Sequence, residues 1–334
     1  MSYQTMQRIT LLVFIAAMLL GTNDCHADET PHWLFDFNPA AERPAPRFLL
    51  TATSAGQTRE KLRVELGKGF ELAATQRHFV VAYPSGQKDQ WSSRFEEIYN
   101  SFYLYFSVRG MKMREPGESL IVIVFPNQRD FLRYAASDNG PVSNNVLGYY
   151  SPRTNRVAMF DSGNGVKSDD AWTQNSETLI HELAHQISFN TGIHSRTAGA
   201  PRWLAEGLGT LFEARGVWKS RSYSQQKDRI NRGRFDDYRR FASAEADGTL
   251  SELIDSDRMF STSPEKGYAL SWALTFYLTE TQPRKYSDYL QLTSARTSAN
   301  YTKADRLADF NKLFGKDLKL IETRFIRYMK EVKK

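Results

Sequence analysis

Cysteine is almost absent from this sequence: Cys25 is the only one among 334 residues. It falls in a stretch with the marks of a secretory leader. Arg8 is the only charge before Ile9, the apolar run Leu11–Leu20 follows, and Cys25-His26-Ala27 offers a small-x-small cleavage site after Ala27. The run spans ten residues, short of the roughly 17–25 that cross a bilayer. The other reading of this stretch is an uncleaved N-terminal anchor. Gly21-Thr22-Asn23-Asp24 is too polar and too long for a lipid-attachment box before Cys25. A chain cut after Ala27 has no thiol, and so neither a disulfide nor a thiolate metal site. Any metal must then be held by His, Asp or Glu. Such a chain has no integral membrane span, and its expected destination is secretion or the periplasm and cell envelope.

Internal repeats, low-complexity tracts and phosphate-binding glycine loops are also missing. That sets aside solenoids and P-loop nucleotide sites. Charge of one sign is not in large excess. The net charge is +6, and cleavage leaves it unchanged because Arg8 and Asp24 go together. A balance of this size suits weak adhesion to anionic surfaces and points to no specific nucleic acid. The densest basic stretch, Arg215–Arg240, holds Lys219, Arg221, Lys227, Arg229, Arg232, Arg234 and Arg239. Asp228, Asp236 and Asp237 interleave with them, so a solvated helix face is the expected reading.

What is present suits a folded chain, 41% hydrophobic and 13% aromatic, and argues against a disordered one. The pattern predicts an α+β protein in four parts: a signal peptide over 1–27, an extended segment over 28–64, an α/β subdomain over 65–170 and a helical subdomain over 171–334. Prolines at 31, 39, 44 and 46 punctuate the extended segment. His78–Tyr83 reads as a strand, and Trp91–Val108 has helical spacing. Leu120–Phe125 is a continuous apolar run that suits a buried central strand. Asn127–Ser137 reads as a short helix. Val146–Tyr150 and Arg156–Phe160 read as a hairpin. Helices are expected over 174–191, 201–214, 222–242, 265–280, 303–313 and 317–332.

The chemistry is concentrated in His181-Glu182-Leu183-Ala184-His185. Residues i and i+4 lie one above the other on a helix, so both imidazoles can face one ion. Glu182 is turned by roughly 100° about the axis, within reach of water on that ion without being a ligand. A second helix is expected to open at Pro201 and to carry Glu206. Two neutral imidazoles and a carboxylate leave one position open, as catalytic zinc requires. Glu213, on the same helix, is the rival carboxylate. His194 is a further candidate ligand, although no fixed glycine-histidine spacing follows His185.

These motifs resemble the gluzincin clan of zinc metallopeptidases. The matching pieces are His181–His185, then Trp203-Leu204-Ala205-Glu206-Gly207, then Lys266-Gly267-Tyr268-Ala269-Leu270-Ser271-Trp272. Over roughly residues 75–285 the chain is most similar to the secreted bacterial family called domain of unknown function 1570. The resemblance implies a zincin-like fold with the metal in the cleft between a mixed sheet and a helical half. It implies Zn2+ on His181, His185 and Glu206, with Glu182 as general base and Tyr268 as oxyanion donor. Tyr268 also reads as a core residue of an amphipathic helix. The resemblance further implies a peptide or protein substrate paired to an edge strand, for which Arg156–Asp161 is the candidate. Clan aminopeptidases place a glutamate where Phe160 stands, which favours an endopeptidase. The alternative is a zinc-binding envelope protein, or an inactive peptidase homologue acting as a binding module.

Overall fold

The computed structural model describes residues 55–75, 77–161, 169–196, 198–242, 248–296 and 301–334. The expected leader, Cys25 and the segment up to residue 54 lie outside the described residues. The first element is a helix, α1 (Ala55–Leu66), where the sequence suggested an extended segment through residue 64. Its residues Arg59 to Glu65 are good helix formers. Its apolar periodicity is weak because Leu62 is its only large apolar residue in the core, so the helix left little pattern to read.

A five-stranded mixed sheet follows, built from β1 (Phe70–Ala74), β2 (Phe79–Pro84), β3 (Leu120–Phe125), β4 (Gly148–Ser151) and β5 (Arg156–Phe160). The strand order is β1-β2-β3-β5-β4. β2, β3 and β5 run parallel, and β1 and β4 are antiparallel to their neighbours. The apolar run of β3 is therefore central, with a parallel strand on each side. α2 (Ser92–Ser107) and α3 (Gln128–Asp138) connect the strands.

Side chains alternate between the two faces of the sheet. Phe79, Val81, Val122, Val124, Val157 and Met159 join the main core with α2 and the helical half. Val80, Ala82, Ile123, Phe125, Ala158 and Phe160 join a second core with Leu62, Phe131 and Ala135. The edge beside the helical half is β4, because β5 is covered by β3 and β4. Arg156–Asp161 is thus an inner strand, not the substrate edge. Phe160 packs on Phe131, on the face away from the main core, so the preference for an endopeptidase loses the residue on which it rested.

The C-terminal half is mainly helical. It comprises α4 (Asp169–Thr191), α5 (Arg202–Phe212), α6 (Arg215–Trp218), α7 (Arg232–Ala242), α8 (Thr249–Asp255), α9 (Met259–Thr262), α10 (Pro264–Thr281), α11 (Pro283–Ser294), α12 (Lys303–Phe314) and α13 (Leu318–Glu331). Gly192 ends α4 at φ 86°, the left-handed cap position that glycine tolerates. Helix α10 is the centre of this half, buried at every residue from Gly267 to Thr279. Among the described residues no helix is long and apolar enough to cross a membrane.

The expected helix over 222–242 is broken. Gln226–Arg229 forms one 3-10 turn, Ile230 is extended, and α7 starts only at Arg232. The Asn231 side chain accepts from Arg234 N at 3.1 Å, which caps α7 and stops its extension backwards. The basic stretch is also extensively paired within the chain. Arg229 grips Glu280 with two bonds of 2.8 and 2.7 Å, Arg240 holds Asp237 at 2.7 Å, and Arg234 is buried.

In the sheet half, buried His78 bonds Glu96 at 2.8 Å and stacks on Tyr99. Burial would raise the Glu96 carboxyl, but hydrogen bonds from His78 and Thr75 win and lower it to about 2. A carboxyl depressed on folding adds stability above its unfolded pKa, and that stability fades as pH falls from about 4.5 towards 2. Urea unfolding at pH 5 and pH 3 is therefore expected to show a smaller loss on acidification in Glu96→Gln than in the natural chain.

Candidate metal centre

Helix α4 places His181 and His185 one turn apart, as their spacing requires. Leu179, Ile180, Leu183, Ala184 and Ile187 bury its apolar face. Gln186 ties the other side of the helix to the sheet, with its amide donating to Ile121 O at 3.0 Å and Asn155 O at 2.9 Å. Asn190 reinforces this by donating to Asn155 Oδ1 at 2.7 Å. Asn155 accepts these bonds at φ 57°, a left-handed conformation that asparagine tolerates.

Helix α5 brings Glu206 to the two histidines. Its first N–H, that of Arg202, donates to Asp257 Oδ1 at 3.1 Å, a carboxylate well placed for a helix N-terminus. Two glycines let α5 approach closely. A Cβ on Gly207 would strike Thr275 Oγ1 and lie 2.7 Å from Ser271 O of α10. One on Gly209 would lie 2.7–2.9 Å from three atoms of the His181 ring.

The three side chains converge. His181 Nε2 is 3.2 Å from Glu206 Oε2 and 3.0 Å from His185 Nε2, and His185 Nε2 is 3.5 Å from the same oxygen. Their ligand atoms all fall within 4.8 Å of one another, and all three residues are buried. Glu213 settles on the other side of His181, bonded to Nδ1 at 2.8 Å. Asn231 fixes its second oxygen from 2.6 Å and also donates to Thr210 O at 3.0 Å. The rival carboxylate is therefore a support that orients the imidazole. This arrangement leaves Nε2 for the shared focus. His194 does not join the cluster. Its ring lies against Phe189, and burial with the nearby charge of His185 drives its pKa down to about 3, so it is neutral.

The donor chemistry fits a divalent ion. Burial acts against a charged His181, yet hydrogen bonds to Glu206 and Glu213 raise its pKa. Burial would raise the Glu206 pKa, and bonds from the two histidines push it well below the usual carboxylate range. Two inward-facing nitrogens and an anionic oxygen form a set that a cation could satisfy.

Glu182 lies outside this triad. It accepts from Tyr150 N at 2.8 Å, which places its carboxylate beside the edge strand β4. Burial raises its pKa, against the nearby charges of His181 and His185. Tyr268, on α10, lies close enough to Glu206 and Arg202 for burial and the Glu206 carboxylate to raise its pKa while Arg202 opposes. The site roles expected for Tyr150 and Asn231 were not legible in the sequence, because neither belongs to a motif.

Residues 175–300 match the model of a family described as protein of unknown function (DUF1570). The match takes in His181, His185, Glu206 and Tyr268. No curated protein matches the chain.

If Glu213 orients His181, Glu213→Ala should weaken metal binding by about 10–100-fold. Competition with a chromophoric chelator measures this, and unchanged affinity would show that Glu213 is not a support.

Proposed function

We propose that this chain is a zinc-dependent peptidase, with the metal held by His181, His185 and Glu206 in a zincin-like fold and Glu182 as general base. The observation that carries this reading is the place of Glu182. It adjoins the metal-ligand triad and also hydrogen-bonds the backbone of the edge strand β4. Extended peptides bind such edges by adding a strand, so one carboxylate borders both the candidate ion and a natural peptide track. Backbone groups along an antiparallel strand alternate in direction. With Tyr150 N–H taken by Glu182, the Tyr150 carbonyl and both backbone groups of Gly148 are the outward β4 groups left to pair with a substrate.

Zinc in this site would supply a polarised carbonyl and an acidified water. Glu182 takes the water's proton and returns it to the leaving amine. The Tyr150 N–H holds that carboxylate in place between the two transfers. Tyr268 remains protonated, because burial and Glu206 raise its pKa, and it can donate a hydrogen bond to the oxyanion.

Metal analysis and hydrolysis together test this reading. The purified chain should carry one equivalent of zinc and His185→Ala none. Cleavage of an unselected peptide mixture should stop with a chelator and return with zinc. A natural chain that binds no zinc would remove the basis of the proposal.

A further inference from the structure

Two arginines beside the metal ligands have no task in the reaction above. Arg202 opens α5 one turn ahead of Glu206, and Arg234 lies on α7, whose start is fixed by Asn231. Their side chains are 17% and 7% exposed. Arg202 lies over the Phe260 ring at 4.7 Å, and Arg234 over the Tyr268 ring at 5.1 Å. The two rings meet edge-to-face at 5.5 Å. The two cations thus bracket an aromatic pair that includes the proposed oxyanion donor.

Among the described residues neither cation has a hydrogen-bonded carboxylate. The nearest carboxylate oxygen to Arg202 among the described residues is Glu206 Oε1 at 3.8 Å, and the nearest to Arg234 is Asp237 Oδ2 at 3.7 Å, both beyond hydrogen-bond length, while Arg202 bonds the Tyr268 hydroxyl. These carboxylates are also engaged elsewhere. Glu206 meets the two histidines, and Asp237 is held by Arg240 at 2.7 Å. Asp257, which accepts the Arg202 backbone N–H, takes two bonds from Arg306 at 2.7 and 3.1 Å. The charge of Arg234 also reaches Glu177, one turn before His181, without an ion pair between them. Arg202 Nε is buried and has no hydrogen-bond partner. A buried guanidinium without a hydrogen-bonded anion is costly, and its fork of donors matches a carboxylate.

We infer that Arg202 and Arg234 form a carboxylate-recognition subsite next to the metal centre. Resting on the peptidase reading, this names the substrate class as peptides with a carboxylate within a residue or two of the scissile bond. Two sources share that chemistry: a free C-terminus, and an Asp or Glu side chain.

The test uses the zinc-loaded full chain and peptides of one sequence in four forms, with a C-terminal acid or amide and with Glu or Gln beside the bond. The carboxylate forms should have kcat/KM at least about tenfold above the neutral ones, as expected of charge-assisted hydrogen bonds. Arg234→Gln should bring the ratio near one, and Arg234→Lys should keep part of it. Whether the acid-amide or the Glu-Gln pair responds identifies the source. Binding of the same peptides to zinc-loaded Glu182→Gln, followed by isothermal titration calorimetry, gives a readout independent of turnover. Zinc stoichiometry and melting temperature show that each variant is folded. A folded, zinc-loaded protein that binds acid and neutral peptides equally overturns the subsite. Preferential binding of the acid form without hydrolysis by the natural chain supports the subsite and overturns the peptidase reading.

Discussion

Glu182→Gln should abolish peptide hydrolysis while leaving zinc content and folding intact. Glutamine matches glutamate in shape and keeps a carbonyl oxygen to accept the Tyr150 N–H, which now bonds Glu182 at 2.8 Å. The contact between α4 and the edge strand therefore survives. What disappears is a group that can take up a proton and release it. General-base catalysis by a positioned side chain is typically about 10²–10⁴-fold, so kcat should drop by that amount with KM little changed. The proposed ligands His181, His185 and Glu206 are untouched, so metal analysis should still find one equivalent. Normal turnover in this variant would show that Glu182 is not the base. Loss of zinc together with activity would instead place Glu182 among the ligands.

The second large effect comes from two neighbouring glycines that fail differently. Alanine in a helix interior is favoured over glycine by about 1 kcal/mol, so Gly→Ala on α5 would ordinarily stabilise. Here the added methyl has no room. At Gly209 it falls 2.7–2.9 Å from the His181 ring, and that ring is already held by Glu213 at 2.8 Å and faces His185 at 3.0 Å. The imidazole can yield only by leaving the focus of the ligand set. Gly209→Ala should therefore weaken zinc binding by at least the roughly 10–100-fold seen when a ligand's support is lost. At Gly207 the methyl would strike Thr275 Oγ1 and, 2.7 Å away, the backbone oxygen of Ser271. It forces α5 and α10 apart, and overpacking of this kind costs about 1–3 kcal/mol or more. Urea unfolding of the metal-free proteins should thus show Gly207→Ala as the less stable variant. Chelator competition should show Gly209→Ala as the weaker zinc binder. If Gly209→Ala binds zinc normally, the ring has room that the packing does not suggest.

Local sequence carried the pieces whose physics is local. The i, i+4 histidines needed only a helix to face the same way, and the apolar stripe of 179–187 made that helix legible. The run Leu120–Phe125 announced a strand buried on both faces. Gly192 announced where α4 stops. The failures are equally physical. A hairpin read from its turn does not say which of its strands meets the rest of the sheet, and that choice decided that β4 is the edge. The break before α7 came from Asn231, whose side chain caps the helix and holds Glu213. No periodicity encodes that bond.

By itself, the sequence determined an α+β chain, the helix that presents His181, Glu182 and His185, and a second helix carrying two candidate carboxylates. Only the tertiary structure decided between those carboxylates, because the distinction lies in which imidazole nitrogen each one meets. Glu206 faces the shared focus with Nε2, and Glu213 stands behind the ring at Nδ1. The tertiary structure also gave Gly207 and Gly209 their meaning. Their missing side chains matter only once α5 is laid against α10 and His181, and no spacing along the chain records how closely helices pass.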